Sequence, residues 1–137
     1  MFMSLYGRWY NFKSYWGASW KIYWHYRPNR WYLLIGLVLQ IILWFLAYRL
    51  FIAVGSDLFV SHYNVDFGID GVGSARRAFL PPILSLAVLV FNFVFTIILS
   101  KDQHFHFFAQ AAGLSALAAQ TLAALALMSL YLINFLA

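Results

Sequence analysis

The chain has 137 residues, of which 64% are hydrophobic and 9% are charged, and its formal net charge is +5. Soluble domains carry about 25% charged residues, so a water-soluble chain of this composition would lack polar side chains to cover its surface. The absence of cysteine excludes a disulfide framework, a thiol nucleophile and a cysteine-based metal site. The composition therefore indicates a membrane protein.

The first 30 residues combine basic and aromatic side chains: five Lys or Arg residues, eleven aromatic residues and no acidic residue. Tryptophan and tyrosine favour the headgroup region of a bilayer, because the ring is apolar while its N–H or O–H group still binds water. Interleaved basic and aromatic residues are also typical of nucleic-acid surfaces. However, an apolar stretch begins at Trp31, directly after Arg30. We therefore predict an interfacial segment that contacts lipid, and no nucleic-acid partner.

Three long apolar stretches follow, at residues 31–54, 79–99 and 107–135. A helix needs about 20 apolar residues to span the hydrocarbon core of a bilayer, and each stretch reaches that length. The predicted fold is an all-α integral membrane protein, with three transmembrane helices preceded by the interfacial aromatic and basic segment. The predicted boundaries are 1–30 for the interfacial segment, 31–137 for the three-helix bundle and 55–78 for an outer loop.

The distribution of basic residues predicts the orientation, because Lys and Arg near span ends favour the cytoplasmic side. The amino end has five Lys or Arg residues, whereas the loop 55–77 has Arg76 and Arg77 together with three aspartates. We expect an inner or plasma membrane protein whose amino end and 101–106 turn are cytoplasmic. The loop and the carboxyl end are then external.

The third stretch places small residues on one face at helical spacing. Small side chains let transmembrane helices approach closely, and amide side chains form hydrogen bonds between helices. We expect Gln110, Gln120 and Thr121 to bond to Asn92 or Gln40. This face suits packing within one bundle, and alternatively an interface in a homo-oligomer or larger membrane complex, or a polar path. The predicted helix-interface residues are Asn92, Gln110, Gly113, Ala116, Gln120 and Ala123.

The outer loop holds most of the charged side chains that follow the amino-terminal segment. Its glycines disfavour a regular helix. We predict a folded cap in which Phe59, Tyr63, Val65 and Phe67 pack onto the bundle. The candidate ligand-binding residues are His62, Asn64, Asp66, Asp70, Arg76 and Arg77, with Arg49 supporting them from the first span.

Catalytic and cofactor-binding patterns are missing from the sequence. A histidine with several aspartates in the loop suits a divalent cation, but a metal site needs ligands that converge, and a loop sequence does not indicate this. Residues 66–68 match the Asp-Phe-Gly magnesium motif of kinases without the glycine-rich and catalytic loops that accompany it. His104 and His106 lack an evident third metal ligand. We therefore predict a non-enzymatic protein with no metal and no cofactor.

Short motifs run through the loop and the second span: His62-Tyr63-Asn64, Phe67-Gly68-Ile69-Asp70, Gly73, Phe79-Leu80-Pro81 and Asn92. This series resembles small uncharacterised bacterial membrane proteins, including many from candidate-phyla lineages, and is loosely similar to the DUF1648 membrane domain over about residues 58–135. Val60-Ser61 stands where that domain usually has a proline. The resemblance implies a three-span topology with the segment 62–70 outside the membrane. It also suggests an immunity-like role, which some members of that family have.

Two functional hypotheses follow. The first is a binding, sensing or immunity-like membrane protein whose external loop recognises a ligand. The second is a structural or accessory subunit that a larger membrane complex holds through the small-residue face of the third span. The position of that face discriminates between them. Exposure of Ala116 and Ala123 to lipid favours the accessory subunit, because a partner would then be missing. Burial of these residues against the first two spans favours the loop as the functional surface.

Overall fold

The computed structural model describes the backbone of residues 2–55, 59–64 and 68–135, and the side chains of residues 13–55, 59–60 and 71–135. The helices are α1 (Phe2–His25), α2 (Arg27–Val54), α3 (Leu80–Ile98) and α4 (Phe105–Phe135). The strands are β1 (Phe59–Asn64) and β2 (Gly68–Gly73), between α2 and α3. Short 3-10 helices at Ala75–Phe79 and Leu99–Lys101 flank α3.

Three segments are long and apolar enough to cross a membrane: Arg27–Val54, Ala75–Lys101 and Phe105–Phe135. Helix α4 packs against both α2 and α3. Large apolar side chains remain on the outside of this bundle, as at Ile41 and Phe91, which are 70% and 65% exposed. Such a surface suits lipid rather than water. The predicted all-α fold with three spans is therefore confirmed, and its architecture is that of a multi-pass membrane protein.

A corner at Tyr26 separates α1 from α2. Tyr26 has an extended backbone (φ −80°, ψ 104°), and Pro28 lies in the first turn of α2, where its missing N–H group leaves no helical hydrogen bond unmade. Two hydrogen bonds close the corner: the Tyr23 hydroxyl donates to the Asn29 carbonyl at 3.5 Å, and the Asn29 side-chain amide donates to the Tyr23 carbonyl at 3.3 Å. Burial raises the pKa of Tyr23 to about 12.

Helix α1 packs across the end of the bundle where α3 finishes. The Tyr15 hydroxyl donates to the Ile98 carbonyl at 3.1 Å. The Lys101 ammonium lies 3.8 Å from the centre of the Tyr15 ring, within cation–π distance. Trp20 and Tyr23 both meet the Phe93 ring edge-on. The aromatic side of α1 therefore contacts α3, in addition to the lipid contact that the sequence predicts for this segment.

Polar side chains join the three long helices inside the bundle. Gln40 donates to the Pro82 carbonyl at 2.7 Å and accepts from the Ser85 hydroxyl at 3.1 Å. Gln120 donates to the Gly36 carbonyl at 2.7 Å and lies 3.4 Å from the Gln40 side-chain oxygen. These four side-chain contacts connect α2 to both of its neighbours, so this network fixes the rotation of each helix about its own axis.

An apolar core fills the other end of the bundle. It consists of nine buried residues: Leu43, Ala47, Leu50, Val54, Phe59, Ala75, Ala78, Ala123 and Leu127. Phe59, on β1, is fully buried among them. The two strands are thereby tied to the bundle by an aromatic side chain, as predicted for Phe59. The other residues predicted to pack there, Tyr63, Val65 and Phe67, lie outside the described side chains.

Candidate functional site: the hairpin cap

The segment between α2 and α3 is an antiparallel β-hairpin, which we call the hairpin cap. Phe59 pairs with Gly73 and Asn64 with Gly68, and the register is irregular between Val60 and Tyr63. The sequence predicts a folded cap here but not its strands. Two sequence features are typical of a hairpin here: apolar side chains that alternate along the chain from Phe59 onwards, and several glycines in the returning segment.

Asn134 of α4 holds the first strand of the hairpin cap. Its side-chain oxygen accepts from the Val60 N–H at 3.0 Å, and its side-chain nitrogen donates to the Val60 carbonyl at 2.9 Å. The same nitrogen donates to the Leu130 carbonyl at 2.8 Å, one turn back in α4. Because both backbone groups of Val60 are satisfied by one side chain, Asn134 substitutes for a neighbouring strand. Sequence analysis did not identify this residue.

The return from the hairpin cap to α3 carries two arginines. The Ser74 hydroxyl accepts from the Arg76 N–H at 3.3 Å and so caps the 3-10 helix. The Arg77 guanidinium lies against Gly73, within 2.8 Å of where a β-carbon would stand, so a larger residue there would displace it. Arg76 and Arg77 are both exposed, and Arg49 is exposed on α2.

The remaining predicted ligand-binding residues belong to the hairpin itself. His62 and Asn64 lie on β1 and Asp70 lies on β2, and the ladder places His62 opposite Gly71. Their side chains lie outside the described part of the chain, and Asp66 lies outside it entirely. The structure therefore brings the backbone of three candidates into one hairpin.

The predicted helix-interface residues lie mainly inside the chain's own bundle. Ala116 and Ala123 are 4% and 6% exposed. Gly113 lies under the Tyr32 ring. Gln120 belongs to the polar network described above. The small-residue face of α4 is thus covered by α2 and α3, which is the arrangement expected for packing within one bundle.

The contact expected between Gln120 and Gln40 is present, whereas the partners of Gln110 and Thr121 differ from the expected ones. Asn92 donates to the Ser115 hydroxyl at 2.9 Å, on the exposed side of the α3–α4 contact. Gln110 donates to the Tyr26 hydroxyl at 3.2 Å, and the Thr121 hydroxyl bonds to the Leu117 carbonyl in its own helix. The partners expected for Gln110 and Thr121 were wrong, because the rotation of α4 directs these two side chains away from Asn92 and Gln40.

Within the described residues, no three or more potential metal ligands of the His, Cys, Asp or Glu type come together. The His104 ring nitrogen contacts the Gln103 amide at 3.1 Å, and the His106 ring lies 4.6 Å from the Tyr26 ring centre. The two histidines therefore have separate surroundings. This part of the chain offers them hydrogen-bonding and stacking roles.

No family model matches the chain, and neither the curated proteins nor the solved structures contain a match.

Proposed function

We propose that this chain is a non-enzymatic, multi-pass membrane protein of the binding or sensing type, and that the hairpin cap recognises its ligand outside the membrane. The observation that carries the proposal is the burial of the small-residue face of α4. Ala116 and Ala123 are already covered within the chain, so this part of the face is used in packing the bundle. The hairpin cap is then the favoured working surface.

The attachment of the hairpin cap supports this role. Binding segments are commonly loops held by a rigid scaffold, because a preformed surface loses little conformational freedom on binding. Phe59 anchors the start of β1 in the apolar core, and Asn134 holds the next residue. Arg76 and Arg77 supply exposed positive charge beside the strands. Three aspartates share the loop with these arginines, so a peptide, lipid or envelope component that carries both positive and negative groups matches its charges.

Site-specific photocrosslinking in cells tests the proposal. A photoreactive residue at Val72, which is 47% exposed on the hairpin cap, should give a discrete adduct. Val90 on α3 is 53% exposed and provides the matched control among lipid-facing side chains. The Val72 adduct should disappear in an Arg76→Ala, Arg77→Ala variant that still folds. Equal adducts at Val72 and Val90, or an adduct insensitive to both arginines, would contradict recognition by the hairpin cap.

The accessory-subunit hypothesis has one observation in its favour. The hydrogen bond between Asn92 and Ser115 lies on the exposed side of the bundle, where a polar pair is unusual against lipid. A second helix bonding to Asn92 would explain it. Phe95 lies one turn from Asn92 on the same side of α3 and is 37% exposed. Under this hypothesis a photoreactive residue at Phe95 gives the discrete adduct and one at Val72 does not, so the experiment distinguishes the two functions.

A further inference from the structure

A second open surface lies at the opposite end of the bundle from the hairpin cap. It is a groove of about 550 Å³ between the last turns of α1, the turn after α3 and the first turn of α4. We call it the end groove. Ile22, Tyr26 and Phe105 form its apolar part. Its polar lining residues are Lys21, His25, Ser100, Asp102, Gln103 and His106.

The donors of the end groove come from separate elements that the fold brings together. Lys21 and His25 are four residues apart on α1 and so share one face of that helix. His106 lies in the first turn of α4, and its ring packs 4.6 Å from the Tyr26 ring centre. The Tyr26 hydroxyl accepts from Gln110, which fixes the tyrosine in turn. An ammonium and two imidazoles thereby face one space, and each imidazole carries at least one N–H donor.

Ser100 gives an independent indication of a ligand. This residue lines the end groove, is 4% exposed, and its hydroxyl has no hydrogen-bond partner among the described residues. A buried hydroxyl without a partner costs free energy, which a ligand acceptor recovers. Asp102 is the acidic residue of the lining, and its Oδ1 already accepts from the His104 N–H at 2.7 Å. The amino end of α4 adds the positive end of a helix dipole.

We propose that the end groove binds a phosphate group, either in a phospholipid headgroup or in a free phosphate compound. Lys21, His25 and His106 donate to the phosphate oxygens, and charge-assisted bonds of this kind are among the strongest that side chains make. The groove lies where α2 begins, α3 ends and α4 begins. In a bundle that crosses a bilayer, this is the level of the lipid headgroups. Ile22, which is 37% exposed, then contacts the adjoining glycerol and acyl carbons.

Native mass spectrometry of the full chain in detergent tests the proposal. The probes are phosphatidylglycerol and a galactosyl diacylglycerol with the same acyl chains, which has no phosphate. We expect the chain to retain phosphatidylglycerol and to lose the galactolipid. Equal retention of both lipids would overturn the proposal, because the groove would then recognise acyl chains alone. Competition with inorganic phosphate identifies the source: displacement of the lipid supports a site open to free phosphate, and persistence of the lipid supports a headgroup site.

Matched variants separate a defined site from general attraction to positive charge. Lys21→Gln and Lys13→Gln remove the same charge from the same helix, and Lys13 lies outside the groove lining. His106→Gln and His104→Gln form a second such pair. We expect the first member of each pair to weaken phosphatidylglycerol binding about tenfold, and the second to change it less than about twofold. Equal effects within both pairs would overturn the proposal.

Ser100→Ala tests whether the Ser100 hydroxyl contacts the ligand or has only a structural role. Removing an unpartnered buried hydroxyl should raise the unfolding temperature of the lipid-free protein. The same change should weaken phosphatidylglycerol binding if the hydroxyl contacts the headgroup. A gain in stability with unchanged lipid binding would remove Ser100 from the proposed site, and if Lys21→Gln also left binding unchanged, the proposal would fail.

Discussion

The ring of Tyr32 lies directly on Gly113, in the space that a side chain at position 113 would occupy. Tyr32 belongs to the first turns of α2 and Gly113 to α4, so this contact sets how closely the two helices approach. A second glycine lies between α2 and α3: a β-carbon at Gly36 of α2 would meet a methyl group of Leu89 on α3 at 2.9 Å. Gly113 is therefore needed for close packing rather than for backbone flexibility, whereas at Gly36 a shift of the Leu89 methyl group would make room.

Gly113→Leu should destabilise the bundle by about 1–3 kcal/mol, the usual cost of overpacking a well-filled interior. The side chain would force the Tyr32 ring out of its position and separate α2 from α4. Unfolding in mixed detergent, followed by circular dichroism, measures the change. The neighbouring variant Leu114→Ile is the control, because Leu114 is 59% exposed and its exchange keeps the side-chain volume. Equal stability of the two variants would argue against the close contact.

Gln40→Met should cost about 1–2 kcal/mol of unfolding free energy, because it removes contacts with Pro82, Ser85 and Gln120, and interhelical hydrogen bonds in membranes average about 0.6 kcal/mol each. Gln110→Met makes the same chemical change at an exposed position, where the partner is the Tyr26 hydroxyl. We expect Gln110→Met to cost less than about 0.6 kcal/mol. If both variants unfolded like the original chain, the buried network would have no role in stability.

Asn134→Leu should loosen the hairpin cap while leaving the helices in place. It removes two hydrogen bonds to Val60, each worth about 1 kcal/mol, so opening of the cap should become at least about tenfold more frequent. Limited proteolysis between residues 55 and 77 reports that opening. Ser129→Ala is the control, since the Ser129 hydroxyl bonds within α4 to the Leu125 carbonyl. Unchanged cleavage in Asn134→Leu would show that the hydrogen bonds from Asn134 do not hold the cap.

Tyr23→Phe should alter the dependence of stability on alkaline pH. The pKa of Tyr23 is raised from 10.0 to about 12 by burial. Between these values the folded chain keeps the phenolic proton while the unfolded chain loses it. The stability that the protonated Tyr23 contributes to the folded chain is therefore fully present below about pH 10, and it is lost as pH rises towards 12.

The measurement for this prediction is the unfolding free energy between pH 9 and 12. The original chain should lose up to about 2 kcal/mol more than Tyr23→Phe over that range, since one pKa unit corresponds to about 1.4 kcal/mol. Tyr48→Phe, at a ring that is 53% exposed, is the control and should follow the original chain. Parallel curves for all three proteins would mean that the Tyr23 hydroxyl is not buried in solution.

The sequence by itself determined the class of fold. Hydropathy and length are local properties, and a stretch of about 20 apolar residues has few stable forms in lipid other than a helix, because each backbone polar group must be satisfied within the segment. Local chemistry also indicates where the second span begins, since Pro81-Pro82 suits a first helical turn and lies in that of α3. The small-residue face of α4 is also predictable from the sequence, because residues on one face of a helix recur at a regular spacing.

Only the tertiary structure decided which side chains meet. Gln110 and Gln120 look alike in sequence, yet Gln120 reaches the Gly36 carbonyl and Gln110 reaches Tyr26, because helix rotation and crossing determine the partners. The hydrogen bonds between Asn134 and Val60 join residues 74 positions apart, and no local sequence pattern predicts such a contact. The end groove likewise exists because a corner at Tyr26 folds α1 back onto the turn after α3. Packing between distant segments, rather than composition, creates both surfaces on which function is proposed.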